Sequence, residues 1–141
     1  MEKINLSLKG IRVDEMTFKL NAVRQQPKME LKPTFSRRVR RAVENEKMIF
    51  VSLTVKIEKT EESPKPFDLE VTYTGLFESD ATDEASRRAA VIEGTKIIYP
   101  YLRAGVTTLT TAALAAPIVL PVVGGSIFPE DNEPESDGLY S

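Results

Sequence analysis

Across residues 47–58 the chain alternates: Ile49, Val51, Leu53, Val55 and Ile57 fall on one side, and Ser52, Thr54, Lys56 and Glu58 on the other. A period of two is the pattern of a β-strand with one buried and one wetted face. Whatever fold forms must lay an apolar layer against that strand. Val51, Leu53 and Val71 are expected in the core, each contributing on the order of 1.5–3 kcal/mol if fully buried. Residues 60–66, charged and carrying Pro64 and Pro66, read as a turn region. Alternation then resumes through Phe67, Leu69, Val71, Tyr73, Gly75 and Phe77, so the two strands are expected to pair as an antiparallel hairpin.

Upstream, residues 4–20 read as a long strand broken near Gly10. The apolar phase there moves from Ile4, Leu6 and Leu8 to Ile11 and Val13, then to Met16, Phe18 and Leu20. A glycine at such a phase change suggests a bulge. Met29, Leu31 and Phe35 alternate again, but Pro33 lacks a ladder donor, which places this shorter strand at an edge or confines its pairing to the first half. Four antiparallel strands therefore precede any helix.

The helical part follows Asp80. Asp80 or Thr82 can cap it, and Asp83 and Glu84 suit the positive end of its dipole. It is expected to run roughly to Glu93 and to break at Gly94. A second helix then carries Ile98, Leu102, Val106, Leu109 and Ala113 on one face, with Pro100 in its first turn. Strands first and helices afterwards imply an α+β fold, with helices on one face of an antiparallel sheet. Leu114, Ile118, Val119, Leu120, Val122, Val123, Ile127 and Phe128 remain as surplus apolar residues after the helix. That segment either packs beneath the sheet, contacts another subunit or lines a groove.

A chain of 141 residues, 41% hydrophobic, fits one domain. The 26 residues 104–129 carry no charge, and about 20 apolar residues can span a bilayer. Thr107, Thr108, Thr110 and Thr111 are polar, however, and Pro117, Pro121, Gly124 and Gly125 interrupt a single helix, so no membrane span is expected. The threonines are expected to bond back to carbonyls one helical turn earlier. The first ten residues lack the apolar run of a secretory signal, and the absence of cysteine suits a reducing compartment, so a cytoplasmic address is expected. Glu130, Asp131, Glu133, Glu135 and Asp137 give residues 130–141 a charge of −5 against a total of −2. Residues 1–129 are read as the folded domain and residues 130–141 as a disordered acidic tail.

Without histidine or cysteine the chain lacks the commonest general base, the commonest nucleophile pair and the ligands of most zinc sites, so neither catalysis nor a cofactor is expected. The carboxylate pairs Glu44 with Glu46 and Glu61 with Glu62 sit in apparent turns that impose no fixed spacing. No phosphate-binding glycine loop is present. Arg37, Arg38, Arg40 and Arg41 form a basic run suited to phosphates or to acidic polypeptide segments. The simpler reading is a solvated loop between strands, with no nucleic-acid partner.

Residues 97–103, Ile-Ile-Tyr-Pro-Tyr-Leu-Arg, resemble the start of the long helix in the SecB family of export chaperones, the aromatic-Pro-Tyr-x-Arg string being the most specific match. Residues 67–77 are similar to that family's last strand, including an acidic residue and a Gly-apolar-Phe ending. Leu120, Pro121, Val122 and Val123, followed by Ile127 and Phe128, resemble the segment leading to its short final helix. The similarity covers roughly residues 4–129.

The resemblance implies a four-stranded antiparallel sheet with a long helix on one face. It further implies a homotetramer built as a dimer of dimers, with contacts made by the first strand and the long helix. Such a chaperone binds unfolded precursor polypeptides without ATP and passes them to the translocase motor SecA. Glu15 and Glu70 match acidic positions that contact SecA on the flat sheet face, while Lys19 stands where a further acidic residue is expected. Met29 and Leu31 match apolar client-groove positions, and Ile127 and Phe128 match the helix bordering that groove. Gln25 replaces an aromatic in the crossover loop, and Val123 with Gly124 replaces an Asn-Phe pair. Two alternatives stand beside this: a dedicated SecB-like chaperone of one client, such as an antitoxin, and a nucleic-acid-binding adaptor acting through Arg37, Arg38, Arg40 and Arg41.

Overall fold

A computed structural model of the chain describes residues 5–21, 31–59 and 65–132. Four strands, β1 (Leu6–Leu20), β2 (Thr34–Arg41), β3 (Met48–Ile57) and β4 (Phe67–Ser79), precede one long helix, α1 (Glu84–Ala112), and a 3-10 turn at Pro129–Asp131. The strands form one sheet in the order β1-β4-β3-β2, each pair antiparallel. The fold is α+β, with the helix packed on one sheet face.

The alternating stretch is the second strand in from one edge, and its pattern has the expected consequence. Ile49, Val51, Leu53, Val55 and Ile57 are buried against α1. From β4, Phe67, Leu69, Val71 and Phe77 join them, and from the helix Ala90, Ile98, Tyr99, Leu102 and Val106. In β1 the register shifts twice, between Leu8 and Gly10 and between Val13 and Glu15. Each shift restores the apolar phase, so that Ile11, Val13, Met16 and Phe18 stay on the helix side, opposite Gly75, Tyr73, Val71 and Leu69.

Strand β2 differs from expectation. It starts at Thr34, after Leu31 and Pro33, while Met29 lies outside the described residues. The arginine run is the strand itself and not a loop: Phe35, Arg37, Val39 and Arg41 share the helix-side register, and Ser36, Arg38 and Arg40 the outer one. An edge strand accommodates such charges, which also discourage edge-to-edge pairing with other chains.

The helical part is one helix of 29 residues where two were expected. Gly94 does not break it, because the glycine is buried where a Cβ would lie 3.2 Å from the Phe77 ring; it permits close approach of helix and sheet. Pro100 lies mid-helix, not in a first turn, and removes one backbone donor there. The cap is Asp83, neither Asp80 nor Thr82. Its carboxylate accepts from the Ser86 N–H at 2.7 Å, and the Ser86 hydroxyl accepts from the Asp83 N–H at 3.3 Å. Asp80 instead joins Asn5, tying the start of β1 to the end of β4.

At the other end Leu114 N–H donates to Thr111 and Ala115 N–H to Thr110, the paired bonds of a Schellman turn. The left-handed residue of that turn, usually glycine, is Leu114 with φ 60°. The chain then returns along the helix, held by side chains of α1. Thr107 donates to the Ile118 carbonyl at 2.7 Å, Arg103 to Leu120 at 2.8 Å and Tyr99 to Pro121 at 2.7 Å. Thr107, Thr110 and Thr111 also bond back to carbonyls four residues earlier, as expected. Glu130 and Asp131, assigned from sequence to the tail, belong to the 3-10 turn, and residues 133–141 lie outside the described residues.

Candidate functional site

The surplus apolar segment packs partly and exposes the rest. Leu120 is buried, while Ile118, Val123, Ile127 and Phe128 are half-buried against the core together with Leu31 and Phe35. Val119 and Val122 remain 62% and 77% exposed beside them. The Phe35 and Tyr99 rings meet edge-to-face with centroids 6.2 Å apart. Apolar side chains from β2, α1 and the post-helix segment therefore converge along the β2 edge of the sheet. Ile127 and Phe128 do not lie on a final helix; among the described residues the chain there is irregular, with bends, and ends in the single 3-10 turn.

Phe128 is fixed by a polar clasp. The Arg37 guanidinium sits 4.6 Å from its ring centroid and donates to Thr95 Oγ1 at 3.0 Å and to both carboxylate oxygens of Asp131. The Ser126 hydroxyl also donates to Asp131 at 2.7 Å. Burial alone would push the Asp131 carboxyl up, but hydrogen bonds from Arg37 and Ser126 and the Arg37 charge outweigh it and hold its pKa below the ordinary carboxylate value. Arg37 is thus an internal clasp, not part of a solvated basic loop. Sequence reasoning missed Asp131 because its partner lies 94 residues away, and the only signal was an arginine at a core-facing register position between Phe35 and Val39.

The opposite sheet face is largely polar, with Phe50 and Leu76 at one end, and uncovered among the described residues. Glu15 and Glu70 both lie there, half-buried, rimming a shallow depression of about 470 Å³ with Thr54 and Thr72. Glu70 lies 3.7 Å from the Lys56 ammonium. Hydroxyl pairs Ser52 with Thr74 and Thr54 with Thr72, at 2.6 and 2.7 Å, stiffen this surface. Lys19 pairs with Asp68 in the same register. On the helix side of β1, Ile11, Val13, Met16 and Leu20 are 36–75% exposed, a second apolar strip.

Among the described residues no acidic cluster could hold a metal ion, and no helix is long and apolar enough to cross a membrane.

The family model described as preprotein translocase subunit SecB matches residues 3–128 of this chain. No curated protein matches it in sequence. Among solved structures it is similar to the Mycobacterium tuberculosis SecB-like chaperone in complex with a ChAD peptide from the HigA1 antitoxin. The TM-score is 0.65 at 17% identity, over 84% of this chain and 88% of that one, a likeness of fold.

Proposed function

The chain belongs to the SecB family, a family of cytosolic chaperones and not of enzymes, and on that premise we propose that it is an ATP-independent holdase keeping unfolded or precursor polypeptides competent for export. The observation that carries this reading is the apolar surface of Leu31, Ile127 and Phe128 beside exposed Val119 and Val122, along a strand whose outer edge has no neighbour in the sheet among the described residues. An extended client gains main-chain hydrogen bonds from such an edge and side-chain contacts from such a surface. Met29, outside the described residues, is assigned to the same groove through the family resemblance. The exposed strip of β1, with exposed Tyr101 on the helix, supports assembly of copies through those elements into a dimer of dimers. Glu15 and Glu70 on the flat face are the proposed contacts for SecA. Residues 133–141 are proposed to form an acidic solubilising tail.

The test is light scattering from a refolding, aggregation-prone client without nucleotide. Suppression at a near-stoichiometric ratio supports the general holdase; none removes it. A second reading, a dedicated chaperone of one client such as an antitoxin, is favoured by the fold shared with the antitoxin-bound SecB-like chaperone and by Lys19 in place of an acidic residue. Capture restricted to a single client peptide would select it.

A further inference from the structure

The outer face of the sheet divides by charge. Near the turn joining β2 to β3, Arg12 on β1 and Arg40 on β2 lay their guanidiniums over the ring of Phe50 on β3, at 5.5 and 4.7 Å from its centroid. Arg38, opposite Ser52, shares this face in the next row. Asp14 bonds Arg12 at 2.7 Å and accepts from the Thr74 hydroxyl, Glu78 in the row beyond Phe50 faces the Lys9 ammonium at 3.6 Å, and Glu44 stands at the rim beside Arg40. Among the described residues Arg38 and Arg40 form no ion pair. Beside the ring, Gly10, Ile11, Thr74 and Leu76 help line a depression of about 190 Å³, and a Cβ added at Gly10 would meet nothing within 4 Å.

A guanidinium over a ring face keeps in-plane donors for a carboxylate, and Arg12, whose Nε is taken by Asp14, keeps its two Nη groups. Two such groups flank an apolar floor; their strands stand three spacings apart, about 14 Å, but both guanidiniums lean in over one ring, so their carbons lie within about 10 Å of each other and side chains reaching them must converge. In an extended peptide the residues two before and two after a given side chain point the same way and stand about 13 Å apart. Along the strands lie Glu15 and Glu70, the latter beside Lys56, so a long polyanion laid that way would meet carboxylates. A short segment crossing the strands avoids them.

We infer that the Phe50 end of the outer face docks an extended acidic segment of a partner protein. One apolar side chain of that segment sits beside Phe50, and a carboxylate two residues to either side reaches Arg12 and Arg40. This surface lies on the sheet face opposite Phe35 and Phe128, so the inference does not rest on the holdase reading, and client capture reports separately on that reading.

The test uses the full-length protein and a fluorescein-labelled probe, Ser-Glu-Ser-Leu-Ser-Glu-Ser, followed by anisotropy. Saturable binding is expected, weakened at least tenfold when both probe glutamates become glutamine and at least tenfold in the Arg12→Gln, Arg40→Gln variant, with client light scattering unchanged. Circular dichroism of the double variant and the single variant Arg40→Gln guard against misfolding being taken for lost contact. Equal binding of the glutamine probe, or full affinity in the double variant, would overturn the inference. A tenfold gain in probe affinity on removing residues 133–141 would also overturn it, making the chain's own acidic tail the occupant. Displacement of the probe by a lower concentration of oligothymidylate would overturn it in favour of nucleic acid.

Discussion

Arg37 and Asp131, 94 residues apart, form a two-pronged ion pair, Nη1 to Oδ2 and Nη2 to Oδ1. Their side chains are 19% and 3% exposed, and the same guanidinium covers the Phe128 ring. The pair ties the 3-10 turn to the edge strand, so the position of the proposed client surface depends on it.

Asp131→Asn is expected to lower stability at neutral pH by about 1.5–3 kcal/mol, the range for hydrogen bonds to charged groups. The folded pKa of Asp131 lies below its unfolded value of about 3.9. Its contribution is therefore complete above that value and is lost as pH falls through the lowered folded pKa. Denaturant midpoints of the two proteins should converge in acid. A gap that persists unchanged at about pH 2 would assign the effect to something other than the charge pair.

Leu31→Ala with Phe128→Ala should weaken capture of an unfolded client several-fold while leaving circular dichroism and oligomer size intact. Both side chains are half-buried, so their truncation costs packing without opening the core. Unchanged capture in a light-scattering titration would remove these residues from the groove.

Glu70→Lys places a second ammonium beside Lys56 on the flat face, now 3.7 Å from the carboxylate. Binding to SecA, followed by titration calorimetry, is expected to fall at least tenfold with client holding preserved. Equal loss of both would show that the two surfaces are the wrong way round.

Leu114→Gly should raise stability by about 1 kcal/mol, since a leucine in the left-handed conformation crowds its own carbonyl and glycine does not. Leu114 is 95% exposed, so little burial is lost. A lower denaturant midpoint would mean that this side chain is covered in the assembled protein.

Much of the architecture was legible because strand periodicity is a local property. The alternation through Ile49 to Ile57 located β3 and its buried face, and the phase changes around Gly10 and Met16 marked both register shifts of β1. The helix was misread at two residues for one reason. Gly94 and Pro100 are breakers by intrinsic preference, but the buried Ile98, Tyr99 and Leu102 on either side of Pro100 hold the helix through them.

By itself the sequence determined the strand order along the chain, the buried set, the family and the lack of the side chains that usually catalyse. Only the tertiary structure decided which faces meet. Arg37 reads as one of four equivalent arginines until pleating turns it inward toward Thr95 and Asp131, while Arg38 and Arg40 turn outward. That distinction depends on where β2 begins and on a partner at the far end of the chain, and neither is encoded in any window short enough to show a period.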